Sequence, residues 1–189
     1  DPPKFDERSL FRVRDDDEPV AFAPRLDWSA YPGALGGFQG AAEQCNNNGA
    51  CRKLQGGAMC PSYRATMNEK DVTRGRANSL RLALSGQLGP DAFASDDMME
   101  TLKLCVSCKA CRRECPTGVD MAKMKIEVLA ARTAKKGLGF RDYLIAFLPR
   151  YAARGAQFSH LMNLRDKIPG VAKLTEMVLG LTAKRPLPK

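Results

Sequence analysis

The spacing of apolar residues along the chain predicts helices and gives little sign of strands. From Asn68, the segment NEKDVTRGRANSLRLALSGQL starts with a capping residue and repeats apolar side chains every three or four positions. The residues predicted to share its buried face are Ala77, Leu80, Leu84 and Leu88. Few segments alternate between apolar and polar residues with the period of two that strands need. The pattern therefore predicts a mostly α-helical protein.

Two further helices are predicted around a cysteine-rich stretch. SDDMMETLKLC offers Ser95 as an N-cap and puts acidic residues in the first turn, where the helix dipole favours them. This helix would present Cys105 at its C-terminal end. VDMAKMKIEVLAARTAKKG has a basic last turn followed by Gly137, as is typical of a helix C-terminus. Its predicted apolar stripe consists of Val119, Ala122, Ile126 and Leu129.

Composition divides the chain into three predicted parts. Residues 1–40 are rich in proline, glycine and short charge runs, so we expect an extended arm or linker, anchored by Trp28. Residues 41–137 contain all seven cysteines and the strongest helical periodicity, and we expect them to form the main domain. Residues 138–189 carry short amphipathic segments interrupted by Pro149 and Pro169, so we expect a helical extension or linker.

The net charge of +9 is concentrated in the second half of the chain. Residues 1–100 hold 12 basic and 15 acidic side chains (net −3), whereas residues 101–189 hold 18 and 6 (net +12). A basic half suggests nucleic acid, an anionic membrane surface or an acidic partner. The chain has no zinc-finger histidine pair and no aromatic residues interleaved with arginines, so we do not expect nucleic acid.

The same sequence predicts a cytoplasmic protein. No apolar stretch approaches the roughly 18 residues of a membrane-spanning helix, and no signal-like segment is present. An odd number of cysteines, four of them close together, is typical of metal or redox chemistry in a reducing compartment. Because the chain starts at Asp1, we also expect it to be a piece of a longer polypeptide.

The stretch CVSCKACRRECP carries the strongest chemical signal. Its spacing, C-x2-C-x2-C-x3-C-P, is the run that holds 4Fe–4S clusters in bacterial ferredoxins. Cys105, Cys108 and Cys111 would bind three corners of one cubane, while Cys115 would point away toward a different cluster. A structural zinc site is the alternative, but zinc usually recruits separated ligand pairs, and the only histidine, His160, is far away in sequence.

An earlier stretch, EQCNNNGACRKLQGGAMCPSY, ends in the same Cys–Pro pair and suggests an exchange of ligands. Cys60 precedes a proline as Cys115 does, so Cys60 is predicted to supply the fourth thiolate of the 4Fe–4S cluster. Cys115 is predicted in turn to join Cys45 and Cys51 at a second cluster. The full predicted set of metal ligands is Cys45, Cys51, Cys60, Cys105, Cys108, Cys111 and Cys115.

The second cluster is the open question, because Asn48 stands where a regular run has its middle cysteine. Three thiolates suit a 3Fe–4S cluster, or a 4Fe–4S cluster whose last iron takes an oxygen ligand. A neutral amide oxygen is a poor substitute for thiolate, so Asn48 itself is not favoured as a ligand. The alternative is that NNNG is only a tight turn. Among the nearby cations, Arg74 and Arg76 are the ones expected to tune or pack against a cluster.

Two long segments carry a resemblance to a known family. CRKLQGGAMCPSYRATMNEKDVTRGRANSLRLAL and LCVSCKACRRECPTGVDMAKMKIEVLAAR, within about residues 40–135, resemble the iron–sulfur segment of large FAD-linked oxidases. These are D-2-hydroxyacid dehydrogenases of the D-lactate and D-2-hydroxyglutarate type. The resemblance implies an α-helical ferredoxin-like domain between an N-terminal flavin domain and a cysteine-rich C-terminal domain. It also implies that the gap at Asn48 is a family feature.

The function implied by this resemblance is electron transfer. The segment would relay electrons from FAD on the flavin domain to an acceptor, as part of an oxidoreductase, and would itself contain no catalytic residue. Two alternatives stay open. An iron with only three thiolates could bind a substrate carboxylate as a Lewis acid. A structural zinc module could instead present its basic face to nucleic acid.

Overall fold

The computed structural model describes residues 20, 22–31 and 37–186, and the fold over these ranges is helical. The remaining residues, including most of the predicted arm, lie outside the described ranges. The α-helices are α1 (Gly37–Glu43), α2 (Pro61–Thr66), α3 (Thr73–Leu84), α4 (Asp96–Lys103), α5 (Ala110–Glu114), α6 (Met121–Lys136), α7 (Phe140–Ala146), α8 (Leu148–Gln157), α9 (Ser159–Met162) and α10 (Val171–Leu179). Short 3-10 helices occupy Ala50–Arg52, Glu69–Asp71, Ala92–Ala94 and Asn163–Asp166. No strand occurs in the described ranges, so the predicted mostly α class is confirmed.

The chain divides into two compact units, residues 1–135 and residues 136–189. The first unit contains the buried apolar core and all seven cysteines. The domain boundaries predicted from composition, at residues 41 and 137, stay predictions. None of the helices in the described ranges has the length and apolar character needed to cross a membrane.

Helix α3 follows the predicted pattern for most of its length. Ala77, Leu80 and Leu84 are buried on one face. Leu88 is exposed, contrary to the prediction, because the helix ends at Leu84, before Gly86. The same face also buries two arginines, Arg76 and Arg81, which apolar periodicity alone does not reveal.

Helix α4 begins as the sequence predicts. The Ser95 hydroxyl accepts a hydrogen bond of 3.1 Å from the backbone N–H of Met98, and Asp96 and Asp97 lie in the first turn. The helix ends at Lys103, two residues before Cys105. The loop that starts there is therefore fixed at its entry by a capped, partly buried helix.

The predicted apolar stripe of α6 is wrong in its C-terminal half. Ile126 and Leu129 are exposed, whereas Met121, Met124 and Val128 are fully buried. The buried face also contains the carboxylate of Glu127. This face is selected by a contact distant in sequence, because Glu127 accepts hydrogen bonds from residues of the N-terminal arm. Periodicity within the helix could not show which of two overlapping stripes would meet that arm.

Trp28 anchors the described part of the arm to the first unit. Its indole N–H donates to Glu127 Oε1 at 2.8 Å, and the indole packs edge-on against Phe38, with ring centroids 4.9 Å apart. The ammonium of Lys123 lies over the indole ring, 4.1 Å from its centroid. The buried carboxylate of Glu127 also accepts the backbone N–H groups of residues 25 and 26, so three hydrogen bonds hold the arm against α6.

The second unit contains the four helices α7 to α10, and its role as an extension or linker stays a prediction. Pro149 lies in the first turn of α8, just after the break between α7 and α8, where its missing N–H leaves no helical hydrogen bond unmade. The most extensive polar contacts come from Arg165, whose guanidinium donates to Thr175 Oγ1 at 3.2 Å and to the carbonyl oxygens of Thr182 and Arg185. His160, predicted to be no ligand, is exposed in this unit.

Candidate metal centre

Four of the seven cysteines line one cavity in the first unit. The cysteines around this cavity are Cys60, Cys105, Cys108 and Cys111. Cys60 directly precedes α2, the next two lie in the loop after α4, and Cys111 lies in α5. The cavity therefore brings together the four thiols that the sequence assigns to one 4Fe–4S cluster, although they come from two distant segments. Ligation itself stays a prediction.

The Cys60 sulfur is held by the first residue of α3. Thr73 donates its backbone N–H to Cys60 Sγ at 3.1 Å, and its hydroxyl Oγ1 lies 3.0 Å from the same sulfur. Burial raises the pKa of the Cys60 thiol, and these two hydrogen bonds from Thr73 lower it. Both contacts would favour the thiolate form that binds iron.

The N-termini of two long helices direct backbone amides at the cysteine sulfurs. In α3, the N–H of Thr73 reaches Cys60 and the N–H of Arg74 stabilises the thiolate of Cys51. In α6, the first two N–H groups, those of residues 121 and 122, stabilise the thiolate of Cys111. Burial is the largest influence on Cys51 and Cys111, and it raises the pKa of Cys51 to about 11. Because helix N-termini favour negative charge, both helices suit an anionic cluster.

The two cysteine loops share an unusual backbone conformation. We call residues 45–51 the earlier loop and residues 105–111 the later loop. In the later loop, Ser107 and Lys109 have φ of 54° and 58°. In the earlier loop, Asn47 and Gly49 have φ of 61° and 75°. The residue between these left-handed positions is a cysteine in one loop and asparagine in the other. Left-handed φ in residues other than glycine is uncommon, so the match indicates that both loops have the same design.

Asn48 uses its amide to hold the earlier loop. Its Oδ1 accepts the backbone N–H of Ala50 at 2.8 Å, and its Nδ2 donates to Asn46 Oδ1 at 2.6 Å. The residue is exposed, as Cys108 is at the matching position of the later loop. The amide oxygen is therefore engaged in a turn, in line with the expectation that Asn48 is not itself a ligand.

The remaining three cysteines form a less complete group. Cys45 and Cys51 are buried, and both Cys45 and Cys60 lie close enough to Cys51 to raise the pKa of its thiol. Cys115 is partly buried against the same core and follows α5, which contacts the 3-10 helix that bears Cys51. Its sulfur lies 3.3 Å from Thr117 Oγ1. The sequence-predicted trio thus lies on neighbouring elements of one unit.

Arginines lie beside both groups of cysteines. Arg76 is almost completely buried, lines the four-cysteine cavity and donates to the carbonyl oxygen of Thr101 at 3.1 Å. Arg74 lies close to the thiols of the earlier loop, and its guanidinium donates to the carbonyl oxygen of Asn47. Arg81, which the sequence analysis missed, donates to the carbonyl oxygen of Cys45 at 3.3 Å, while burial lowers the pKa of its guanidinium. The sequence signal that could have identified Arg81 is its position, with Arg76, on the apolar face of the predicted helix.

Glu114 ties the segment before Cys60 to α5. Its carboxylate accepts the backbone N–H groups of Ala58 at 2.8 Å and Met59 at 3.0 Å, which lowers its pKa. A Cβ on Gly57 would lie 2.3 Å from this carboxylate, so only glycine leaves it room to approach. The contact fixes the Cys60 segment against the helix that carries Cys111. The sequence analysis also missed Glu114, because in the sequence it is a single acidic residue that follows several basic ones.

The donor set fits an iron–sulfur cluster. Four thiols on one cavity match the ligands of a cubane, and the amides, the threonine hydroxyl and a buried arginine offset its negative charge. Over residues 22–31 and 37–186, no three His, Cys, Asp or Glu side chains converge closely enough to hold one metal ion. A cubane needs no such convergence, since each of its thiolates binds a different iron.

Comparison with known proteins agrees with this arrangement. Residues 41–119 match the family model of the 4Fe-4S dicluster domain. The matched segment makes up less than half of the chain. Its boundaries enclose both cysteine loops and all seven cysteines. The predicted 4Fe–4S cofactor is confirmed, and the domain is an electron-transfer iron–sulfur module.

Curated relatives of the chain confirm the resemblance seen in the sequence. D-2-hydroxyglutarate dehydrogenase of Escherichia coli is 26% identical, over 87% of this chain and 19% of its own length. The enzyme of the same name from Pseudomonas putida is 26% identical, over 64% of this chain and 14% of its own length. A probable glycolate oxidase iron-sulfur subunit of Bacillus subtilis is 31% identical, over 58% of this chain and 23% of its own length. The chain spans less than a quarter of the length of these relatives, and no solved structure matches it.

Proposed function

We propose that the chain is the electron-transfer segment of an FAD-dependent D-2-hydroxyacid dehydrogenase of the D-lactate or D-2-hydroxyglutarate type. Two kinds of relative support this: dehydrogenases named for D-2-hydroxyglutarate, and an iron–sulfur subunit named for glycolate oxidation. The names of all these relatives refer to the oxidation of a hydroxyacid. The segment would pass single electrons from reduced flavin toward an acceptor.

The observation that carries the proposal is the pair of matched cysteine loops in one unit. Cys60, Cys105, Cys108 and Cys111 would hold one 4Fe–4S cluster. Cys45, Cys51 and Cys115 would hold a second cluster, of the 3Fe–4S or 4Fe–4S type. When bound, each cluster supplies a site that gains and loses one electron. The start of α3 touches both groups through the N–H of Thr73 and of Arg74, so the two sites adjoin.

The residues of the chain hold and insulate these sites. Thr73 and the start of α6 direct hydrogen bonds at sulfur, and Arg76 lies against the cavity with its charge removed from water. Hydrogen bonds and positive charge near a cluster stabilise its reduced, more negative state. Glu114 keeps the Cys60 segment against α5, so the two segments that line the cavity keep their relative positions.

We propose that the partners are a flavin domain and a cysteine-rich C-terminal domain of the same larger protein. The lengths of the relatives leave room for both. Substrate oxidation would occur on the flavin domain. Buried thiols that bind clusters suit a reducing compartment, so we place the protein in the cytoplasm.

Anaerobic analysis of iron and acid-labile sulfide in the purified chain tests the two-cluster arrangement. We expect about seven or eight irons per chain, because two clusters of the 3Fe or 4Fe type add up to this number. About four irons would leave only the four-cysteine cluster, and a colourless chain without iron would contradict the proposal.

Electron paramagnetic resonance separates electron relay from the Lewis-acid alternative. Photoreduced FAD added to the chain under anaerobic conditions should produce the signal of reduced clusters, because relay requires only a flavin donor. D-2-hydroxyglutarate or D-lactate added to the oxidised chain should leave its spectrum unchanged. A spectrum altered by the hydroxyacid would contradict relay and favour direct binding of substrate to iron.

A further inference from the structure

The later loop has an exposed apolar and basic edge close to its cavity. Val106 is 71% exposed and Cys108 is exposed, so a cluster held here would approach the surface at this point. We call this surface the basic edge. It is formed by Lys70, Lys103, Val106, Lys109 and Lys125.

Contacts place each cation of the basic edge beside the later loop. Lys109 lines the cavity, and Lys125 Nζ donates to the carbonyl oxygen of Cys105 at 2.7 Å. Lys103 ends α4 two residues before that cysteine. It shares Glu100 with Lys70, at 3.3 Å and 3.7 Å respectively.

Positive charge predominates on the exposed surface of this edge. Among its ion-pair partners, Glu100 is exposed, whereas Asp120, 3.9 Å from Lys109, is buried. Three exposed lysines and the half-buried Lys125 therefore lie beside one exposed carboxylate. Exposed charges of one sign attract partners of the opposite sign and raise association rates.

The earlier loop has the same left-handed positions but different side chains at the positions that correspond to the basic edge. At the matching positions it carries Glu43 in place of Lys103, Asn46 in place of Val106, and Gly49 in place of Lys109. The earlier loop, which we propose to hold the second cluster, thus has neither the apolar side chain nor the lysines at these positions. We therefore assign Lys103, Val106 and Lys109 a role outside the cluster site.

We propose that the basic edge is a docking surface for an acidic one-electron carrier protein. This rests on the proposed electron-transfer function. One electron passes between the chain and the carrier, with no bond made or broken. Electron-transfer complexes are small and depend on charge for their association rates, so an exposed apolar residue ringed by lysines suits a carrier rich in Asp and Glu. Val106 would lie at the centre of the contact.

The test compares two forms of one acceptor. Native cytochrome c is basic, and succinylated cytochrome c carries carboxylates in place of its lysines, while both report electron transfer through haem absorbance. The dithionite-reduced chain is mixed with each under anaerobic conditions in a stopped-flow instrument. We expect the succinylated form to react faster, at a rate that falls with ionic strength, because opposite charges steer association.

The overall positive charge of the chain would also favour an acidic acceptor. Substitutions therefore test whether the faster reaction with succinylated cytochrome c depends on the basic edge itself. Lys103→Glu should lower the rate with succinylated cytochrome c about tenfold at low ionic strength, within the range known for steering. Val106→Asn should lower it about threefold by removing the apolar centre. Both substitutions introduce residues that the earlier loop carries at the matching positions, so the backbone accommodates them.

Lys135→Glu is the matched control. It makes the same change in charge on α6, ten residues and about 15 Å along the helix from Lys125. It should change the rate less than twofold. Equal effects of Lys103→Glu and Lys135→Glu, or faster reaction with native cytochrome c, would overturn the docking surface while the chain still holds iron. A chain without iron would overturn the proposed function, and this inference with it.

Discussion

The earlier and later cysteine loops place left-handed residues at matching positions, yet only the later loop has a cysteine between them. The later loop, with Cys60, completes a set of four thiols around one cavity. The earlier loop puts Asn48 at the middle position and uses its amide to hold the turn. The comparison teaches that the backbone conformation does not depend on the middle cysteine, because the same left-handed positions occur where asparagine replaces it.

The largest expected effect is the loss of iron when a cysteine of either group is replaced, because each group should lose only its own cluster. Cys111→Ala removes a buried thiol of the four-cysteine cavity, and Cys51→Ala removes the thiol at the matching position of the earlier loop. Cys111→Ala should lower the iron content by about four per chain, whereas Cys51→Ala should leave about four bound. Anaerobic iron analysis measures both. Loss of all iron in Cys51→Ala would show that the sites do not form independently.

A substitution at Gly75 should disturb both groups at once. A Cβ there would lie 2.0 Å from the backbone oxygen of Glu69, which cannot move away cheaply, so the start of α3 must shift. We expect Gly75→Ala to lower the free energy of unfolding by about 1–3 kcal/mol. It should also weaken iron retention, because Thr73 and Arg74 donate from this turn. Thermal unfolding under anaerobic conditions provides the measurement.

Gly155→Ala is the matched control for this substitution. Gly155 lies within α8, and the nearest atom to an added Cβ is Met162 Sδ at 3.9 Å. Alanine there should be neutral or stabilise the helix by up to about 1 kcal/mol. Equal melting temperatures for the two variants would contradict the close packing of α3 on the preceding 3-10 helix.

Asn48→Cys tests whether the earlier loop has the conformation of a complete cluster loop. Asn47 and Gly49 already have the φ signs found around Cys108, so a cysteine between them should point as Cys108 does. We expect iron content to rise from about seven to about eight if the second cluster is 3Fe–4S, with loss of its oxidised EPR signal. An unchanged signal of a 3Fe centre in this variant would mean that the loops differ in more than one side chain.

The smallest expected effect concerns reduction potential. Thr73→Val removes the hydroxyl beside Cys60 and keeps the backbone N–H. The reduced cluster is more negative and needs this donor more, so the potential should fall by on the order of 40 mV, taking ~1 kcal/mol for one hydrogen bond. Thr73→Ser should restore the value, as an EPR-monitored redox titration would show.

Thr117→Val provides the counterpart at the other group. Its hydroxyl lies 3.3 Å from Cys115 Sγ, so removing it should lower the potential of the second cluster and leave the first unchanged. A shift of the same cluster in Thr73→Val and Thr117→Val would contradict the proposed exchange of ligands between the two segments.

Sequence spacing predicted the chemistry better than it predicted the packing. The cysteine run and the paired Cys–Pro steps are local patterns, and they indicated the cluster type and the meeting of Cys60 with the later loop. The buried face of α6 was not predictable, because it depends on Glu127 meeting Trp28 of the arm. The matched left-handed positions were also hidden, since Asn47 and Gly49 adopt positive φ readily in many contexts whereas Ser107 and Lys109 do not.

Magnetic coupling between the two clusters tests the central claim most directly. In the fully reduced chain, EPR spectra should show signals broadened by spin–spin interaction, because the start of α3 contacts both cysteine groups. The broadening should disappear in Cys111→Ala, which retains only the second cluster. A single sharp signal from the intact chain, identical to that of Cys51→Ala, would contradict the claim that two adjacent clusters share this fold.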